Sequence, residues 1–375
     1  MKNKVFYKIA VLTLSLILIA CSGGTEEAGC PEINDRQINV VATTPMIGEF
    51  VSQVGGDNIN LTVLMPPEAD PHTYDPAPQD AGKIADADLV FYTGLKYEPA
   101  ALIKLLENSA CGAEVLAEVG ENVYPIEFKE GGHDDHDDHG EEGHDDHDEE
   151  GHDDEEGHDD DEGHDDHDDH AGHDHGAYDP HFWFDPNRVA YAAEYIEGKL
   201  IEFDSANAAD YESAASAFTT ELNDLGRQVS ELISSVPSQN RKLITTHESL
   251  GYLEAKYGLE ILSTIIPSLS SANEISPSQL VDVIDVIEDN NVKVIFIEAE
   301  APSVYSETIV AETNIKAVTG LWVETLKENQ SYADFLISNV KLITDNLKDL
   351  DYIFIDKLEN LYIVGHDEHD ERKEY

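Results

Sequence analysis

Apolar residues run along this chain in two alternating rhythms. Short stretches of β-branched and aliphatic residues at 38–42, 60–65 and 89–93 read as buried strands. Between them, apolar positions fall three and four apart, the spacing of a helix face. Thr44 stands where a helix cap is needed, Pro45 follows at the first helical position, and Gly55 with Gly56 marks the stop. Residues 66–78 are a loop dense in Pro and Asp, and helices are predicted through 81–87 and 98–107. After a polar interval the helical rhythm returns at Val189, Ala192, Ala193 and Ile196. It continues along 207–232, where Tyr211, Ala215, Phe218, Leu222, Leu225 and Val229 form one stripe. A helix of about 25 residues extends roughly 38 Å at 1.5 Å per residue, long for one lobe and suited to a rod joining two. A second alternation follows, with strands at 242–246, 261–266, 292–297 and 315–319 and helices at 249–257, 277–289, 303–313 and 332–347.

Strand–helix alternation of this kind is the pattern of a parallel sheet covered by helices. The expected fold is α/β with two lobes, each a parallel sheet flanked by helices. The N-terminal lobe is expected over 38–205, a connecting helix over 206–236 and the C-terminal lobe over 237–364. Residues 352–364 are apolar enough to pack but fall outside the alternation, and 365–375 is a charged tail with His366 and His369.

Ahead of this body, Lys2, Lys4 and Lys8 precede an apolar run at 9–20 that is too short to span a bilayer. The run ends Leu18-Ile19-Ala20-Cys21, which resembles the signal box of bacterial lipoproteins, cleaved just before its cysteine. This predicts a signal peptide over 1–20, acylation of Cys21 and a tether over 21–37. The mature protein is expected to be exported and held on the lipid membrane, at its periplasmic face or at the outer cell surface. Only Cys30 and Cys111 survive such processing, and two lone cysteines in an oxidising compartment leave their pairing open.

Gly131–Gly176 interrupts the first lobe with a tract of His, Asp, Glu and Gly whose one apolar residue is Ala171. Such a run cannot bury enough surface to offset its ordering entropy and is expected to be a solvated, disordered loop. A charged spacer needs only Asp and Glu, yet twelve of the seventeen His lie here: His133, His136, His139, His144, His147, His152, His158, His164, His167, His170, His173 and His175. Imidazole and carboxylate at this spacing collect borderline divalent ions such as zinc, in many weak sites rather than one selective site. The tract is therefore expected to be accessory. It also contributes to a formal net charge of −57, which excludes nucleic acid as a partner because phosphate contacts need Lys and Arg.

Selectivity has to come from ordered residues. Outside the tract and tail the only histidines are His72, His181 and His247, each just after an apolar or aromatic segment or inside a Pro- and Asp-rich loop. Parallel sheets bind ligands at the carboxyl ends of their strands. His72 and His247 are predicted at such ends, one in each half, with His181 between the halves. Three matching contexts point to a shared metal site. Zinc favours a tetrahedral imidazole and carboxylate set, so a fourth ligand is sought among strand-end acids, Glu298 and Glu324.

Four segments carry a resemblance to a known family: residues 71–80 (Pro71-His72 to Asp80), 87–95 (Ala87-Asp88 to Leu95), 179–186 (Asp179-Pro180-His181 to Pro186) and 246–252 (Thr246-His247 to Tyr252). Over 39–347 the chain resembles the zinc and manganese group of metal-binding solute-binding lipoproteins of ATP-binding-cassette importers. The resemblance implies two lobes joined by one long helix, with the metal site in the cleft. It implies His72, His181 and His247 as ligands, and it sets the family's fourth ligand, an aspartate, on Glu324, which keeps the carboxylate on a longer arm. Glu298 matches an acid near the site and is expected to orient a ligand imidazole. The resemblance also implies a monomer that captures Zn2+ as cargo and hands it to a membrane permease. Zinc-type members tend to have His, and manganese-type members Glu, at the position of His247.

Two other functional classes make different demands on the sequence. A zinc hydrolase would use an open metal position to activate water. No HExxH run, His-x-His pair or nucleophile motif occurs in the body of the chain, so no enzyme is expected. A surface metal buffer or adhesin would work through the tract alone and leave His72, His181 and His247 without a role.

Overall fold

The computed structural model describes residues 30, 33, 36–128, 178–271, 274–300 and 305–348. The signal peptide, Cys21, the 131–176 tract with its twelve histidines, and the 352–375 segment therefore lie outside the described residues. No described helix is long and apolar enough to cross a membrane.

The first lobe opens with β1 (Ile38–Ala42), α1 (Pro45–Gly55) and β2 (Ile59–Val63). The Thr44 side chain accepts the Ile47 amide, so α1 begins where Thr44 and Pro45 predict, and it ends at Gly56 with a φ of 51°. Then follow α2 (Pro78–Ala85), β3 (Leu89–Tyr92), α3 (Ala100–Ser109) and β4 (Leu116–Glu118). The sheet is parallel with strand order β2-β1-β3-β4. α2 starts three residues before its predicted start, at Pro78, and two further expectations differ. α3 starts two residues later than predicted because Pro99 stays extended at ψ 144° as its N-cap and disfavours a helical Glu98, after a left-handed turn in which Gly94, Leu95 and Lys96 take positive φ. β4, three residues long, has no periodicity to announce it.

The second lobe repeats this plan with β5 (Lys242–His247), α6 (Gly251–Tyr257), β6 (Glu260–Ile266), α7 (Pro277–Asp289), β7 (Val294–Glu298), α8 (Tyr305–Thr313) and β8 (Lys316–Leu321). β5 pairs with β6 and β7 with β8, all parallel. β5 and β7 lie side by side, and the Glu298 amide donates to Thr246 Oγ1 at 3.0 Å. The two pairs β6-β5 and β7-β8 therefore follow the first lobe's order, although no backbone ladder joins β5 to β7 among the described residues. β8 runs two residues past its predicted end. Gly320, with φ 94°, absorbs a register shift that sets Glu298 opposite Leu321.

Two helices carry the chain between the sheets. α4 (Pro186–Phe203) is capped by Asp185, whose carboxylate accepts the Asn187 amide at 3.0 Å. α5 (Ala208–Ser234) buries Tyr211, Ala215, Phe218, Leu222, Leu225, Val229 and Ile233. It packs on α1 and α4 and on the final helix, α9 (Tyr332–Lys348), so it touches both lobes. One apolar core runs through this helical layer from Val40 and Phe50 to Leu243 and Phe296. Cys30 and Cys111 form a disulfide with Cα atoms 5.0 Å apart.

Candidate metal centre

Strand ends converge on the cleft. β5 terminates in His247 itself and β7 in Glu298. The loop after β2 carries His72 within a 3-10 turn, Pro71–Thr73. Glu324 follows β8 by three residues. His181 precedes a buried 3-10 turn, Phe182–Phe184, just after the chain returns from the 129–177 interval. There Glu127 and Tyr178 form an antiparallel bridge, and the Asp179 amide donates to the Ile126 carbonyl at 3.0 Å.

His72, His181, His247 and Glu324 each offer one donor atom, and the four atoms lie within 4.8 Å of one another. Glu324 Oε1 is 3.3 Å from His72 Nε2, 3.3 Å from His181 Nε2 and 2.6 Å from His247 Nε2. All four of these atoms are buried, and none makes a hydrogen bond of acceptable geometry. Buried polar atoms left this way are costly singly. Four of them aimed at one point have the chemistry of a cation site, N3O in composition. A groove of about 990 Å³ along β6 includes none of the four residues. Convergent donors, not volume, mark the site.

The outer partners fix which nitrogen faces inward. Asp179 Oδ1 lies 2.8 Å from His181 Nδ1, and Glu298 Oε2 lies 2.6 Å from His247 Nδ1. A carboxylate at Nδ1 makes that nitrogen the proton carrier and leaves the Nε2 lone pair for a cation. Glu298 also accepts the His247 amide at 3.2 Å. Asp70 and Asp179 stand two residues before His72 and His181, and each accepts the following His amide, at 3.0 Å and 2.9 Å. The tripeptide Asp-Pro-His thus builds the same turn twice. Asp70 additionally receives the Ser271 hydroxyl at 2.9 Å, a bond between the lobes.

The Val323–Glu324 segment is held from several directions. The Tyr97 hydroxyl lies 2.9 Å from both Glu324 Oε2 and the Glu324 carbonyl, which share its one proton. Trp183 Nε1 donates to the Val323 carbonyl at 2.8 Å. Glu300 Oε1 accepts the amides of Val323 and Glu324 at 2.9 and 3.1 Å. Tyr97 is itself placed by Glu98, a buried carboxylate that accepts from Thr43, Thr93 and Gly94.

Charge follows from this packing. Burial alone pushes His181 down, but Glu324 and Asp179 outweigh it and lift the imidazole to about 9. His247 is likewise depressed by burial and then raised well above its ordinary value by Glu298 and Glu324. Burial pushes Glu324 up, yet the three imidazoles hold it well below the carboxylate range. Burial, with Glu324 nearby, pushes Glu300 up to about 8.

Among the sequence candidates, the structure brings together His72, His181, His247 and Glu324, with Glu298 behind His247. Tyr97, Asp70, Asp179 and Glu300 escaped the sequence reading. The doubled Asp-Pro-His was a signal for the two aspartates. Nothing local distinguishes Tyr97 or Glu300.

The model of a family described as zinc-uptake complex component A, periplasmic, matches residues 40–346. A manganese ABC transporter substrate-binding lipoprotein of Streptococcus anginosus is 25% identical over 358 residues, covering 90% of this chain and 97% of that protein. A metal ABC transporter substrate-binding lipoprotein of Streptococcus cristatus is 24% identical, covering 90% and 97%. The periplasmic zinc binding protein TroA of Treponema pallidum superposes with a TM-score of 0.65 at 20% identity, covering 83% of this chain and 99% of that one. A Mn-bound periplasmic metal binding protein of Candidatus Liberibacter asiaticus gives 0.64 at 22%, covering 83% and 99%. At these identities the two structures speak for the shared two-lobed fold.

Proposed function

The chain belongs to the zinc-uptake complex component A family, and on that premise we propose that its cargo is Zn(II), held by His72, His181, His247 and Glu324. It is a metal-binding, substrate-capturing protein of an ABC importer, not an enzyme. The observation that carries the zinc reading is the donor set. Three inward Nε2 atoms and one carboxylate oxygen suit a small tetrahedral ion, whereas manganese prefers an oxygen-rich shell with more ligands. Glu298 and Asp179 orient their imidazoles from outside. Capture is then the replacement of protons at the buried nitrogens by the ion, and hand-over to a membrane permease completes the task. We place the protein outside the cytoplasmic membrane, anchored through acylated Cys21 and acting as a monomer. The lipoprotein names of its relatives support the anchor. The 131–176 tract gathers ions weakly, as an accessory.

Manganese is the second reading, favoured by relatives named as manganese lipoproteins. Competition binding in defined metal buffers on tract-deleted protein decides between them, with His247→Glu beside the parent. Zinc should win by orders of magnitude in the parent, and the substitution should narrow the gap. Equal or tighter manganese binding by the parent overturns the zinc assignment.

A further inference from the structure

The peptide that carries Glu324 is unusual in how its polar groups are satisfied. Its two amides, at Val323 and Glu324, both donate to Glu300 Oε1. Its two carbonyls accept from Trp183 and Tyr97. Neither sheet nor helix takes any of these four groups, so three side chains decide where the peptide sits. Tyr97 and Trp183 come from the first lobe, before α4. Among the described residues, Glu300 is the side chain of the peptide's own lobe that hydrogen-bonds it, two residues past the end of β7 and its Glu298. Glu300 is no candidate ligand, since it lies outside the four-atom cluster. Its second oxygen, Oε2, is buried and makes no hydrogen bond among the described residues. The carboxylate is thus committed through Oε1 alone.

We propose that Glu300 is a positioning residue for metal capture, holding the Val323–Glu324 peptide so that Glu324 presents Oε1 alone to the three imidazole nitrogens. The proposal rests on the four-residue site described above. A glutamate arm is one methylene longer than an aspartate arm, and its carboxylate reaches a fixed point only if its backbone is fixed. Tyr97 holds the carboxylate from one side by occupying Oε2. Glu300 supplies the complementary restraint by clamping both amides. Without that clamp the peptide shifts towards Tyr97 and Trp183, and Oε1 leaves the point on which the Nε2 atoms converge. What the clamp requires is an acceptor with two lone pairs, which a glutamine carbonyl also offers. Its charge is not needed.

The test uses the full chain with Glu300→Gln, Glu300→Ala, Glu300→Leu and Glu324→Ala. Zinc affinity is read by competition, and coordination by the absorption of Co(II) in place of zinc, intense for four ligands and weak for five or six. The glutamine variant should keep the parent Co(II) spectrum and bind zinc within about threefold of the parent. Alanine and leucine should weaken zinc about 10- to 100-fold, the scale of outer-shell changes at metal sites, and should alter the Co(II) spectrum. A variant that is only less stable would keep that spectrum once folded, and leucine fills the volume if alanine fails to fold. Parent-like affinity and spectrum in both alanine and leucine variants would overturn the proposal. So would a glutamine variant as impaired as alanine, which would assign the effect to charge. Undiminished zinc binding by Glu324→Ala would instead bring down the ligand assignment itself.

Discussion

The Tyr97 hydroxyl donates to Glu324 Oε2 at 2.9 Å, so a side chain of one lobe aims a carboxylate of the other. The ring also lies edge-on to His72, with centroids 4.9 Å apart, and contacts His181 and Trp183. One residue therefore touches two of the imidazoles and the carboxylate that faces them. The bond to Glu324 spans the cleft and stiffens it.

Removing that hydroxyl leaves a buried oxygen without its donor. Tyr97→Phe should lower the unfolding free energy of the metal-free protein by about 1–3 kcal/mol, the cost of an unsatisfied buried acceptor. Zinc affinity should fall about tenfold, because Glu324 gains freedom to rotate. Denaturant titration and metal competition check the two effects separately, and parent-like values in both would deny Tyr97 any part in the site.

Protons and cargo compete for the same nitrogens. His181 sits at about 9 in the metal-free fold, above the roughly 6.5 of an unfolded histidine. A raised value means that its proton stabilises the metal-free fold fully below about pH 6.5, and that this contribution is lost as pH rises through about 9. His247, also raised, acts in the same direction. Glu324, held low, contributes above the ordinary carboxylate value and loses its contribution as pH falls through its depressed one. Zinc requires neutral imidazoles, so affinity should climb from about pH 6.5 to 9. Binding at pH 7 should also release protons, visible by calorimetry in buffers of different ionisation enthalpy. Flat affinity over that window would place the binding on carboxylates.

The described segments on either side of the His-rich tract meet through the Glu127–Tyr178 bridge and the Asp179–Ile126 hydrogen bond. Excising 131–176 should therefore preserve one tight zinc ion per chain while removing several weak ones. Loading at a thousandfold excess over Kd should still add about 4 kcal/mol of stability. Metal analysis after dialysis, together with thermal scans, measures both. Loss of the tight ion would move the site into the tract.

The Cys30–Cys111 bridge closes a loop of sequence separation 81 ahead of and across the first sheet. Replacing both cysteines by serine should cost about 2–4 kcal/mol by relaxing the unfolded chain's constraint. Zinc affinity should not change, because neither cysteine contacts the four donors. A weakened affinity in the folded variant would mean that the bridge shapes the cleft.

Sequence alone determined whatever depends on neighbours. The alternation of strand and helix, the Thr44 cap, the long α5 stripe and the three histidines all follow from periodicity and local hydrogen bonding, which act over a few residues. That is why α5 lies where the Tyr211–Val229 stripe predicts, while short β4 and the left-handed turn at Gly94–Lys96 do not announce themselves. Tertiary structure decided which acid faces the imidazoles. Glu298 ends β7 and Glu324 follows β8, both in the second lobe. The register shift at Gly320 and the carboxylate's partners turn Glu324 inward and leave Glu298 at His247 Nδ1. Tyr97 and Glu324 are 227 residues apart, and Trp183 is 140 from Val323. No rhythm in a chain reports contacts over such distances. They exist only once two sheets have folded and their loops meet, because the position of a buried donor is set by everything packed around it.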